Sequence, residues 1–268
     1  MTVPTLAGRR VMVVGGSAGI GQAFAVRAGQ AGAKIAVVGR RADRLDETID
    51  QAGGDGTAIV ADLRDADACA RVGEEAAAAL GAIDLVFIAA GAAALRWVSE
   101  TTADDWAVAF ETNVIGVNLV IKALCPTLEP GAIVAACSSE SVGHPHSGLV
   151  PYGASKAALE ETLRGWRIEH PEFRFSCVAV GATVPTDFGN AFDPETLNQA
   201  MELWARHGLA RADIMRTDEV ADVLVGTFGI AAAYPGVGIE HLTVRSPAGV
   251  IGGTEGMRNA AAENGLGL

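Results

Sequence analysis

Short runs of apolar, β-branched residues alternate along this chain with alanine-rich stretches of helical spacing, and that alternation permits few folds. The strand candidates are Arg10–Val14, Lys34–Gly39, Gly56–Ala61, Ile83–Ala89, Ala132–Cys137, Arg174–Val180 and Ile239–Val244. Most are nearly continuous in apolar residues, the pattern of parallel strands covered on both faces. Helical spacing falls between them, over Ile20–Gln30, Ala42–Gln51, Ala66–Leu80, Ala103–Leu124, Gly153–His170 and Asp218–Ala233. Asp65 and Thr217 stand where N-caps belong, and Gly32 and Gly81 where helices stop. The expected fold is α/β, a doubly wound parallel sheet of seven strands with helices on both faces. One domain over residues 1–268 is expected. The rhythm breaks once, over about 182–216, where no strand is expected and Leu197, Met201 and Trp204 mark a helix. Insertions of that length commonly form lids over binding sites.

Composition narrows the function classes. With 32 acidic against 20 basic residues the formal charge is −12, which repels nucleic-acid phosphates and anionic lipid. The longest uncharged run, Val223 to Ile239, is 17 residues and broken by Pro235 and four glycines, so no membrane span is expected. Met1–Arg10 lacks the basic and apolar regions of a signal peptide. Cys69, Cys125, Cys137 and Cys177 lie far apart, which argues against a disulfide framework or zinc site. The expected location is the cytoplasm, with no metal.

The chain holds 33 glycines but only 10 prolines, and a few of the glycines have informative spacing. Gly15-Gly-Ser-Ala-Gly-Ile-Gly21 follows the first strand and opens the first helix. Glycines there allow a tight turn, close approach of a pyrophosphate and close helix–sheet packing, while the helix N-terminus offers free N–H groups to phosphate. The second strand ends Val37-Val38-Gly39-Arg40-Arg41, with no acid until Asp43. An acid at that place would accept from the ribose 2′-OH of NAD, whereas arginine suits a 2′-phosphate. NADP(H) is therefore preferred, with NAD(H) possible; the alternative is that Arg40 and Arg41 are solvated charges at a strand end.

Farther along, Tyr152-Gly-Ala-Ser-Lys156 places a phenol and an ammonium on one helix face. An adjacent ammonium favours tyrosinate, which makes Tyr152 a candidate general acid/base for a carbonyl–alcohol pair. Ser139 lies just past a strand, flanked by Ser138 and Ser141, and Asn113 interrupts a helical run although asparagine is a poor helix former.

The spacing Gly15-x3-Gly19-Ile20-Gly21, with Asn113, Ser139, Tyr152 and Lys156, resembles the short-chain dehydrogenase/reductase family over roughly residues 8–245. The resemblance implies a Rossmann-like sheet and a cofactor held by Gly15, Ser17, Ala18, Gly19, Ile20, Arg40, Arg41, Asp62, Leu63, Ala90, Gly91, Asn113, Tyr152, Lys156, Gly181, Thr183 and Thr186. It implies that Ser139 holds the substrate oxygen, that Lys156 lowers the Tyr152 pKa and binds the nicotinamide ribose, and that Asn113 holds a water of the proton relay. Val14 replaces a common family threonine. Ile88-Ala-Ala-Gly91 replaces Asn-Asn-Ala-Gly, and Val180-Gly181 replaces Pro-Gly. The asparagine losses imply altered rigidity beside the cofactor.

Hydride exchange on an apolar ketone or secondary alcohol is the expected activity. Trp97, Phe188, Phe192, Trp204 and the loop His144–Val150 are the candidate pocket walls. A catalytically silent NADP-binding regulator or scaffold is the alternative, and an epimerase or dehydratase on the same fold is a third. The resemblance also implies a homodimer or homotetramer joined through Ala103–Leu124 and Gly153–His170. The stretch Ser246–Leu268 completes a neighbouring site or forms a tail.

Overall fold

The computed structural model describes residues 5–251, so most of the C-terminal stretch lies outside the described residues. Its frame is built in chain order from β1 (Arg10–Val14), α1 (Gly19–Gln30), β2 (Lys34–Gly39), α2 (Ala42–Ala52), β3 (Gly56–Val60), α3 (Ala66–Leu80) and β4 (Ile83–Ile88). There follow α4 (Ala103–Phe110), a π-helical turn (Glu111–Gly116), α5 (Val117–Leu124), β5 (Leu128–Ser139), α6 (Val150–Glu169) and β6 (Arg174–Val180). The chain continues through β7 (Thr183–Val184), α7 (Pro194–Arg206), β8 (Met215–Arg216), α8 (Thr217–Ala233) and β9 (His241–Val244).

Seven strands form one sheet in the order β3-β2-β1-β4-β5-β6-β9, and every pairing is parallel. Alternate residues of β1 serve opposite cores. Met12 and Val14 face the layer built on α3, α5 and α6, whereas Val11 and Val13 face α1, α2 and α8. In the second layer Phe24, Phe87 and Phe228 pack with ring centroids 4.2 to 6.4 Å apart. Strand order reverses between β1 and β4, which opens a crevice at their carboxyl ends, the usual ligand place in such a sheet.

Several local expectations need correction. The insertion carries a small second sheet, β7 paired with β8, where no strand was expected; each is two residues, too short to leave a periodic signature. Thr217 is the first residue of α8, not its cap. Arg216 precedes the helix, and its N–H donates to the Glu219 carboxylate at 3.1 Å. The cap at Asp65 and the stops at Gly32 and Gly81 stand where expected. The segment Ala103–Thr127 is long and apolar enough to cross a membrane by length and composition, but here Val117, Val120, Ile121 and Leu124 bury one face in the core.

Candidate active site

The first turn is made of backbone in close contact. The N–H groups of Gly15 and Gly16 both donate to the Val38 carbonyl, and Gly15 has φ 89°. A Cβ on Gly15 would lie 2.5 Å from Ala90 N, and one on Gly21 would lie 2.2 Å from the Gly15 carbonyl oxygen. Only glycine lets β1, α1 and the segment after β4 meet this closely. Ala18 precedes α1 and gives it no side-chain cap, so first-turn N–H groups are open to an anion. Ile20 packs into the sheet core, and Thr186 lies against Gly19, bringing the insertion onto the glycine turn.

Of the two arginines after β2, Arg40 is exposed, while Arg41 donates to the Ser17 carbonyl and hydroxyl and to Asp187 at 2.7 Å. The sequence showed no acid near this position, and the fold brings one from the insertion. A cavity of about 520 Å³ lies here, lined by Ser17, Arg41, Thr186 and Asp187 among others; neither Ser139 nor Tyr152 borders it. Asp62 lies two residues past β3 and accepts from Arg64 N–H, and Leu63 presses its carbonyl toward Gly116. At the far side Gly181 N–H donates to Val244, and Thr183 donates back to the Gly181 carbonyl.

Asn113 falls within the π-helical turn and is completely buried. Such turns insert one extra residue and often mark functional positions. Its side-chain oxygen accepts from Ala92 N–H at 2.8 Å, and its amide donates to the Ala92 carbonyl and to Ser155 Oγ, each at 2.9 Å. Ser155 in turn donates to the Tyr152 carbonyl at 2.7 Å. The brace between the post-β4 segment and α6 therefore comes from Asn113, and the Ala89 and Ala90 N–H groups add bonds to Val14. Ser155 was not among the expected residues: a serine inside Tyr-x-x-x-Lys gives no signal unless its partner is known.

β5 ends at Ser139 on the rim, and α6 starts just before Tyr152, which sets the two side chains against each other. Ser141 Oγ donates to Ser139 Oγ at 2.9 Å. Ser138 points away toward Glu160, so it is not an alternative to Ser139 at the rim. Packing around Tyr152 pushes its phenol up to about 12, against the downward pull of its hydrogen bond with Ser139. Lys156 shares the face as expected, with Nζ 5.8 Å from the Tyr152 ring centre, but donates to the Cys137 carbonyl at 2.8 Å. Burial lowers the lysine's own pKa. Burial is the largest influence on the phenol and raises it, the Ser139 hydrogen bond lowers it, and Lys156, engaged with the Cys137 carbonyl, is not among the groups that act on it in this arrangement.

The expected aromatic wall is brought together. Phe188 meets Tyr152 edge-on at 5.0 Å and Phe192 at 5.4 Å. Trp97, Phe192 and Trp204 share an apolar cluster with Tyr152, Leu95 and Leu149. His146 stands edge-on to Trp204 at 5.4 Å, and burial lowers its pKa. The wall sets apolar aromatic surface directly against the Tyr152 phenol.

Known proteins resemble this chain in sequence and in fold. The family described as short chain dehydrogenase matches residues 9–196. An uncharacterized oxidoreductase of Mycobacterium tuberculosis is 38% identical over 186 residues, covering 67% of this chain and 71% of that protein. A short chain dehydrogenase of Burkholderia cenocepacia solved in complex with NADP is 25% identical, with TM-score 0.77 over 94% of this chain and 99% of the other. A 7α-hydroxysteroid dehydrogenase solved with NADH has the same fold, at 23% identity and TM-score 0.77 over 92% of this chain and 96% of the other.

Proposed function

The chain belongs to the short-chain dehydrogenase family of oxidoreductases, and from that premise we propose that it interconverts a carbonyl and an alcohol with NADP(H). The observation that carries this reading is the convergence of Ser139, the Tyr152 phenol and an aromatic wall at the rim of the strands beside the glycine turn. The residues fit a dinucleotide. The uncapped start of α1 suits its phosphates, and Arg40 and Arg41 suit a 2′-phosphate. Asp62 and Leu63 suit the adenine, Ala90 and Gly91 the sheet-side face, Lys156 the nicotinamide ribose, and Gly181, Thr183 and Thr186 the carboxamide.

The cofactor, when bound, supplies the hydride. Ser139 donates a hydrogen bond to the substrate oxygen and fixes it near the phenol. Tyr152 gives its proton to that oxygen in reduction and takes it back in oxidation. Asn113 keeps Tyr152 in place through Ser155, in addition to its expected part in a water relay. The wall of Phe188, Phe192, Trp97 and Trp204 selects an apolar ketone or secondary alcohol.

We read residues 1–268 as one domain acting in the cytoplasm as a homodimer or homotetramer. The exposed Ile115 beside α5 suits a helix-to-helix contact between copies. The test is turnover of apolar ketones with NADPH and with NADH. The expected result is consumption of NADPH at higher kcat/KM than NADH; no turnover of either across the panel contradicts the reading.

A further inference from the structure

Away from the reaction centre, Glu160 on α6, Cys177 on β6 and His241 on β9 bring a carboxylate oxygen, a thiol sulfur and a ring nitrogen within 4.8 Å of one another. The fold builds this cluster. Cys177 and His241 are register partners on neighbouring parallel strands, so their side chains share a sheet face. Glu160 follows Lys156 by one helical turn and points, like it, into the sheet.

Glu160 is 8% exposed, and among the described residues no ion pair includes it. Its partner is the Ser138 hydroxyl, which donates to it at 2.5 Å. A buried carboxylate without a cation is expensive to maintain. We propose that Glu160, Cys177 and His241 bind one divalent transition-metal ion of the Zn²⁺ class.

The mixed sulfur, nitrogen and oxygen donors suit Zn²⁺ and exclude Mg²⁺ and Ca²⁺, which take oxygen ligands. Bonds of about 2.0 to 2.3 Å require the donor atoms to close to roughly 3.5 Å apart, and exposed His241 has the freedom to turn inward. Water fills the fourth position on the exposed side. Ser138 supports the site from behind by orienting the Glu160 carboxylate. The ion ties the edge strand β9 to β6 and α6, with Cys177 paired to Ala136 on the strand that ends at Ser139.

Binding replaces the Cys177 S–H bond with a sulfur–metal bond and releases that proton to solvent, with no change of oxidation state. Because the thiol must give up its proton to bind, affinity rises with pH.

Titration of the metal-free full chain with Co²⁺ tests the site. The expected result is one equivalent bound, with sulfur-to-metal absorption in the near ultraviolet that Zn²⁺ displaces and Cys177→Ser abolishes. His241→Ala, a change at an exposed residue, should weaken Co²⁺ binding about tenfold or more. Absence of the thiolate band at one equivalent overturns the proposal, as does a band that survives Cys177→Ser or an affinity unchanged by His241→Ala.

Discussion

The glycine turn after β1 and the insertion over Tyr152 flank the proposed reaction site, but they are made differently. The turn is backbone against backbone: Gly15, Gly21, Ala89 and Ala90 meet at distances that no Cβ allows at the glycines. The insertion is side chain against side chain, with Phe188 on Tyr152, Phe192 on Phe188, and Trp204 anchored to the Ser147 carbonyl. A backbone interface has no means of yielding to a larger residue, whereas an aromatic cluster at the surface can rearrange around a ligand. The rigid part suits a constant ligand, the cofactor; the adaptable part suits substrate choice.

Changes on the two sides should therefore differ in size and kind. Gly21→Ala forces a Cβ to 2.2 Å from the Gly15 carbonyl, and should lower stability by about 3 kcal/mol or more together with NADPH affinity. Denaturant unfolding and NADPH titration would measure both, and unchanged values would break the contrast. Raising the pH comes next. The Tyr152 phenol is about 12 in the fold against an ordinary value of about 10, so its stabilising contribution is complete below about 10 and is lost as pH rises toward 12. Unfolding curves of the wild type should show this alkaline loss, and those of Tyr152→Phe should show less of it.

On the adaptable side the effects are smaller. Phe188 is 40% exposed, so Phe188→Ala should change stability by less than about 1 kcal/mol while raising KM for an apolar ketone several-fold, roughly 1 kcal/mol of binding. A loss of fold instead would make the insertion as rigid as the turn. Smallest is Asp187→Asn, which frees Arg41 from its exposed ion pair and should shift the NADPH-to-NADH preference by about threefold toward NADPH. A shift toward NADH would contradict the assignment of Arg41 to the 2′-phosphate.

The same contrast explains what was legible in the sequence. Strands continuous in Val and Ile announce a covered parallel sheet, and glycine spacing announces close backbone, because both follow from local sterics. Asp187 beside Arg41 and Ser155 between Asn113 and Tyr152 depend on where distant segments meet, which no local pattern encodes. The π-helical turn was half visible: Asn113 was out of place in a helix, but its use as a brace required Ala92 and Ser155 to be located. The upward shift of Tyr152 was missed because proximity to Lys156 can be read from spacing, whereas desolvation is a property of the packed core.

The central claim is that Tyr152 is the proton donor of a hydride-transfer reaction, and Tyr152→Phe addresses it most directly. NADPH binding, followed by nicotinamide fluorescence, and ketone reduction should be measured on the same preparation. The prediction is an NADPH Kd within about twofold of wild type and kcat lower by about 100-fold or more. A variant that binds NADPH and retains most of its kcat would contradict the account.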